Sequence, residues 1–130
     1  MLFRSIRHPE EATLAEMAET AAAAARSTAA EFGLDLEFED AMRLPAVAFD
    51  PACVAAVAAG AEGLGLSHME IISGAGHDAC NIAKVAPAGM IFVPCADGIS
   101  HAEIESATPD DCAAGCAVLL NAVIARADDV

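Results

Sequence analysis

The chain has 130 residues, is 56% hydrophobic and carries a formal charge of −14, a length that suits one compact domain or parts of two. The charge opposes nucleic-acid phosphates and anionic membrane surfaces, and the six basic residues are scattered, so neither is an expected partner. Alanine supplies much of the apolar fraction and there is no Trp or Tyr, so the core is expected to be thin for this length.

Phe3 to Arg7 reads as a short strand, and His8-Pro9-Glu10-Glu11 as a helix start with proline in the first turn and two carboxylates at the positive dipole end. The helix should run through the alanine-rich stretch to about Phe32, where Gly33 supplies a left-handed stop. Leu34, Leu36 and Phe38 then alternate with Asp35, Glu37 and Glu39, the period of a strand with one buried and one wet face. This β-α-β unit ends near Arg43. The breaker-rich run Pro45 to Pro51 after it could mark a domain crossing.

A second helix is expected from Pro51 to about Glu62, closed by Gly63 and Gly65, followed by a short apolar strand, Met69 to Ile72. The turn Ser73-Gly74-Ala75-Gly76-His77-Asp78 leads into a helix, and Met90-Ile91-Phe92-Val93 is a continuous apolar strand suited to a sheet covered on both faces. A loop through Gly98 to Ala107 precedes the last helix, which Thr108-Pro109-Asp110-Asp111 opens with a capping residue, proline and two acids. The fold class expected is α/β.

The longest apolar runs fall well short of the ~20 residues that span a bilayer. Met1 to Ser5 lacks the apolar region of a secretion signal, so secretion is not indicated. Five cysteines form an odd set with no C-x-x-C pair, which fits a reducing cytoplasm better than a disulfide framework or a zinc knuckle. Cys112 and Cys116 would share a helix face with Leu119, Leu120 and Val123 and are expected as buried small hydrophobes rather than ligands.

Chemistry gathers at two places. The small residues of the Gly74 to Asp78 turn allow backbone amides near a helix N-terminus to approach an anion, although a tight strand-to-helix turn needs glycine in any case. His77 and Asp78 place an imidazole and a carboxylate at the carboxyl end of a strand, where open α/β sheets bind ligands; a capping or solvated histidine is the plainer alternative. His101 follows the next strand, with Glu103 and Glu105 close behind. Neutral imidazole is a good zinc ligand, and a nearby carboxylate can orient it through its other nitrogen. Zinc takes three or four ligands, however, and no close cluster completes the set. His8 and His68 read as ordinary surface or structural residues, and no nucleophile motif appears.

Ser73-Gly74-Ala75-Gly76-His77-Asp78-Ala79, together with Met90-Ile91-Phe92-Val93-Pro94 running into Gly98-Ile99-Ser100-His101 and Glu105, resembles the C-terminal signature of the hydantoinase/carbamoylase family of zinc-dependent amidohydrolases. That family includes N-carbamoyl-L-amino-acid hydrolases, β-ureidopropionases and allantoate amidohydrolases. The 24-residue separation of the two histidines and the helix start Asp110 to Gly115 are similar too, and the likeness extends from about Ile6 to the C-terminus.

The resemblance implies an α/β catalytic domain interrupted by a smaller α+β lid that also dimerises. Residues 1–44 would be the last β-α-β part of the lid and 45–130 the returning catalytic segment. In such enzymes two divalent metal ions, zinc or alternatively manganese, activate a water that attacks a ureido or amide carbon, with a glutamate moving the proton. His101 matches the last metal ligand, His77 a substrate-contacting histidine, and Gly76 a neighbour that could help through its backbone. Arg7, in Ile6-Arg7-His8-Pro9, resembles the lid arginine that pairs with the substrate carboxylate, a task suited to a planar bidentate donor. Ser5 departs from the acidic residue usual two positions before it.

The family's other metal ligands, its bridging aspartate and its catalytic glutamate lie in a region with no counterpart here, so the chain alone is expected to be inactive. Its unfamiliar first five residues suggest a truncated reading frame or an incomplete gene sequence. The resemblance thus implies a small ureido or amide substrate and a homodimer for the complete enzyme. A non-catalytic dimerisation module built on the β-α-β unit is the alternative, and a small-anion binder using only the glycine turn a third.

Overall fold

The structure is a computed structural model and describes residues 5–40 and 42–127. The chain divides into two compact units: Met1–Val47 with Ile72–Ala75, and Ala48–Ile71 with Gly76–Val130.

The first unit is built on helix α1, Glu11–Glu31. Its alanine run has the highest intrinsic helix propensity, and Glu11 lies in the first turn, where a carboxylate favours the dipole. Proline 9 stays outside the helix, and the Nδ1 of His8 accepts the Glu10 N–H at 3.0 Å. The other end closes as the glycine promised: Gly33 has φ +64, its N–H donates to the Ala30 carbonyl, and the Leu34 N–H donates to Ala29 at 2.8 Å. These two bonds make a Schellman stop. Arg43 donates to Glu11 at 2.6 Å, and this hydrogen bond and charge raise the guanidinium pKa.

The second unit holds α2 (Pro51–Gly63), the short α3 (Asp78–Ile82), a 3-10 turn at Ala96–Gly98 and α4 (Pro109–Ala127). Asp50 caps α2 by accepting the Cys53 N–H at 2.9 Å. That bond is the main reason its carboxyl pKa lies below the usual aspartate value. Gly65, at φ +67, closes α2 with a second Schellman pair, Gly65 N–H to Glu62 and Leu66 N–H to Ala61. Thr108 caps α4 through its hydroxyl, which accepts the Asp111 N–H at 3.1 Å.

Helices α2 and α4 pack on each other through small residues, with Gly60, Ala61, Val118 and Ala122 buried. A Cβ at Gly60 would stand 3.2 Å from the Val118 carbonyl oxygen, so the close approach of the two backbones depends on glycine there. The segment before the 3-10 turn is tied to both helices. The Asp50 N–H donates to the Ala88 carbonyl, Gly89 lies against Cys53 at the start of α2, and Val93 lies against Gly115 in α4.

Two expectations fail. No β-strand forms among the described residues: Leu34 to Phe38, Met69 to Ile72 and Met90 to Val93 carry no ladder hydrogen bonds. The Phe3 to Arg7 strand lies partly outside the described residues, and residues 5–7 are not strand. A strand exists only through its neighbours' hydrogen bonds, and apolar alternation supplies no neighbour. Leu34 and Phe38 accordingly stay 64% and 54% exposed, where one buried face was expected.

The second failure is the Cys112/Cys116 face of α4, which is exposed together with Leu119, Leu120 and Val123. Helix α4 buries the opposite stripe, Val118 and Ala122, against α2, so nothing covers the larger side chains. The thin core does follow the composition. Among the described residues the buried apolar side chains are Ala22, Ala29, Ala61, Val118 and Ala122. No helix of the described residues is long and apolar enough to cross a membrane.

Candidate functional site

The turn Ser73 to Asp78 is divided between the units after Ala75. On the first unit, the Ser73 hydroxyl accepts the Ala75 N–H at 3.2 Å, which bends the backbone locally. The Arg7 side chain runs beside this bend: a Cβ on Gly74 would lie 3.6 Å from its Cδ and 3.8 Å from Nη1. Those are ordinary contact distances, so Gly74 is not sterically required by Arg7. The Nε of Arg7 donates to the Ser5 hydroxyl at 3.2 Å. Ser5, where an acidic residue was expected, thus still partners the guanidinium but brings no charge.

On the second unit, His77 sits at the N-cap of α3 in extended backbone, φ −135 and ψ 152. Its side chain makes no capping hydrogen bond, while its carbonyl accepts the Cys80 N–H at 3.0 Å. The imidazole packs edge to face on Phe92, with centroids 5.5 Å apart and planes at 65°. Phe92 was read from sequence only as part of an apolar run. In the structure Phe92 is exposed while Ile91 and Val93 are partly buried, a difference that a continuous apolar run does not reveal. Gly76, just before His77, is exposed, whereas His77 itself is partly buried.

His101 lies in the loop that follows the 3-10 turn and has φ +58, the left-handed region that a residue with a Cβ avoids; Asp97, at φ +55, shares it. The His101 N–H donates to Glu105 Oε2 at 2.6 Å, and the Ser100 hydroxyl meets the ring Nδ1 at 3.2 Å. The carboxylate expected on the ring is therefore on the backbone instead, and a serine holds the ring nitrogen. A hydrogen bond one to four residues away is legible in sequence only when its backbone geometry is known. Glu103 makes no bond that bears on the site.

His101 does not complete a metal site with its neighbours. Among the described residues no group of three or more His, Cys, Asp and Glu could hold a metal ion, and a zinc site needs three or four such donors. His8 Nδ1 serves the α1 start, and His68 faces Glu62 at 3.8 Å, both in keeping with surface roles. A shallow depression on the first unit, lined by Ile6, Glu16, Met17, Thr20 and Ala21, has one carboxylate and none of these residues.

Residues 7–125 match the description of peptidase family M20/M25/M40. The N-carbamoyl-L-amino-acid amidohydrolase of Rhizobium meliloti is 43% identical over 125 residues, covering 96% of this chain and 30% of that protein. Ureidoglycolate hydrolase of Arabidopsis thaliana is 40% identical over 83 residues, 64% of this chain and 17% of that protein. The crystal structure of a hydantoinase/carbamoylase family amidase from Burkholderia multivorans superposes with a TM-score of 0.87 at 50% identity, covering 92% of this chain and 29% of that one. The chain spans less than a third of the length of the relatives it matches, and its fold is that of the corresponding segment of such an amidase.

Proposed function

The chain belongs to peptidase family M20/M25/M40, and from that premise we propose that it is the C-terminal segment of a metal-dependent amidohydrolase. The enzyme would cleave linear C–N bonds of N-carbamoyl amino acids or related ureido compounds. The observation that carries this reading is the 0.87 TM-score at 50% identity with a hydantoinase/carbamoylase amidase over 92% of the chain. Residues 1–44 would be the end of an α+β lid and 45–130 the returning part of an α/β catalytic domain, whose absent strands would pair with Met69 to Ile72 and Met90 to Val93.

Within that enzyme His101 would supply one metal ligand through Nε2, its Nδ1 being engaged by Ser100. His77, held edge-on by Phe92, and the backbone of Gly76 would contact the substrate. Arg7 would pair with the substrate carboxylate through its guanidinium, the planar geometry that such a group takes best. Two divalent metal ions, zinc or manganese, would polarise the scissile carbonyl when bound. Among the described residues no group of three or more donors could hold them, and the 130-residue chain alone is expected to have no turnover. The complete enzyme would be a cytoplasmic homodimer.

A chimera tests the proposal. Residues 6–127 replace the corresponding segment of the Rhizobium meliloti enzyme, and hydrolysis of N-carbamoyl-L-amino acids is followed with metal content. The chimera is expected to hydrolyse them; His101→Ala should lose metal and turnover, and Arg7→Ala should raise KM far more than it lowers kcat. A folded, metal-loaded chimera without hydrolysis refutes the reading. Hydrolysis by the 130-residue chain itself would overturn the incomplete site.

A further inference from the structure

We propose that Glu105 is the positioning residue for His101, acting through the main chain rather than through the ring. Three observations meet on it. One carboxylate oxygen, Oε2, accepts the His101 N–H at 2.6 Å, and the other, Oε1, accepts the Cys95 thiol at 3.8 Å. Glu105 therefore links the start of the loop to His101. The loop is also closed on itself, with the Ala96 N–H donating to the Ser106 carbonyl at 2.8 Å and the Glu105 N–H to the Ala102 carbonyl at 2.9 Å. The carboxylate is thus carried on backbone that the loop's own hydrogen bonds hold.

The third observation is the backbone of His101. At φ +58 it lies in the left-handed region, which residues with a Cβ visit uncommonly, histidine more readily than most, and the bonds around it favour that conformation. A charge-assisted bond from its own N–H is the most direct such restraint. Returning φ to the ordinary negative range would turn the Cα–Cβ bond to another side of the chain. The imidazole would then leave the Ser100 hydroxyl that meets its Nδ1. The pair Ser100 on the ring and Glu105 on the backbone therefore fixes which way Nε2 faces. No other bond to this ring is made among the described residues, so Nε2 remains the nitrogen open to a ligand.

The purpose of this clamp rests on the reading of His101 as a metal ligand, but the clamp is tested with no metal present, so the two can fail separately. The isotope-labelled full chain and its Glu105→Ala and Glu105→Gln variants are compared by NMR, in solution or on sedimented protein. In the wild type the His101 amide proton should lie far downfield and show the strong intraresidue HN–Hα NOE of a left-handed residue. Glu105→Ala should lose both and shift the His101 ring-nitrogen signals, while the resonances of α2 and α4 stay in place. Glu105→Gln, which keeps an acceptor oxygen, should retain the NOE with a smaller downfield displacement. Should Glu105→Ala not fold, Glu105→Gln decides alone through that displacement. The proposal is overturned if the His101 amide and ring signals of either folded variant match the wild type, or if the wild type lacks the left-handed NOE.

Discussion

Replacing Gly115 by Ala tests how the segment that leads to His101 is held. A Cβ at Gly115 would stand 2.5 Å from the Val93 Cγ1, closer than carbon atoms pack, and Val93 is β-branched and stiff at χ1. Forcing a methyl into such a contact costs about 1–3 kcal/mol. Alanine in a helix interior is favoured over glycine by about 1 kcal/mol. Gly115→Ala should therefore be destabilising by about 0–2 kcal/mol in the wild type. In a Val93→Ala background the obstructing methyl is gone, and the same substitution should stabilise by about 1 kcal/mol. The coupling in the double-mutant cycle is then about 1–3 kcal/mol. Urea unfolding followed by far-UV circular dichroism reads all four proteins, since α2 and α4 supply much of the signal. An equal gain of about 1 kcal/mol in both backgrounds would refute the contact and with it the tie between α4 and the His101 loop.

Acid should expose the Asp50 cap. Its carboxyl pKa is depressed below the ordinary 3.8 by the Cys53 N–H, so the stabilisation is complete above that value and lost as pH falls through the folded-state pKa. Asp50→Asn should flatten the acid limb of the stability profile while leaving neutral pH little changed, and an unaltered limb argues against the cap. Cys112 and Cys116 should react with iodoacetamide at the rate of open thiols in the 130-residue chain and be protected in the chimera, by peptide mass spectrometry. Equal labelling in both would show that the α4 face is open in the complete enzyme too. Arg43→Gln removes an exposed ion pair and should shift the urea midpoint only slightly, with the shift vanishing at high salt; a large, salt-independent loss would mean that Arg43 packs structurally.

The helices were legible because their determinants are local. Gly33 and Gly65 each need only the preceding turn to form a Schellman stop, and Thr108 and Asp50 cap with partners three residues on. The strands were not, because Leu34 to Phe38 and Met90 to Val93 specify a face and leave the hydrogen-bonding partner to other parts of a sheet. Cys112 and Cys116 failed for the same reason. Periodicity said that they share a face of α4 with Leu119 and Val123, and it could not say whether that face or the Val118 and Ala122 stripe would meet α2.

The site divides along the same line. The features of His101 that depend on its own loop, its left-handed backbone and its bonds to Glu105 and Ser100, are in place within this chain. A metal centre needs donors from distant parts of a fold, and among the described residues those donors do not converge. The orientation of a ligand and the assembly of a ligand set are therefore separable here. On the proposed reading, the loop's own bonds set the direction of the imidazole, and the other donors would come from elsewhere in the complete enzyme.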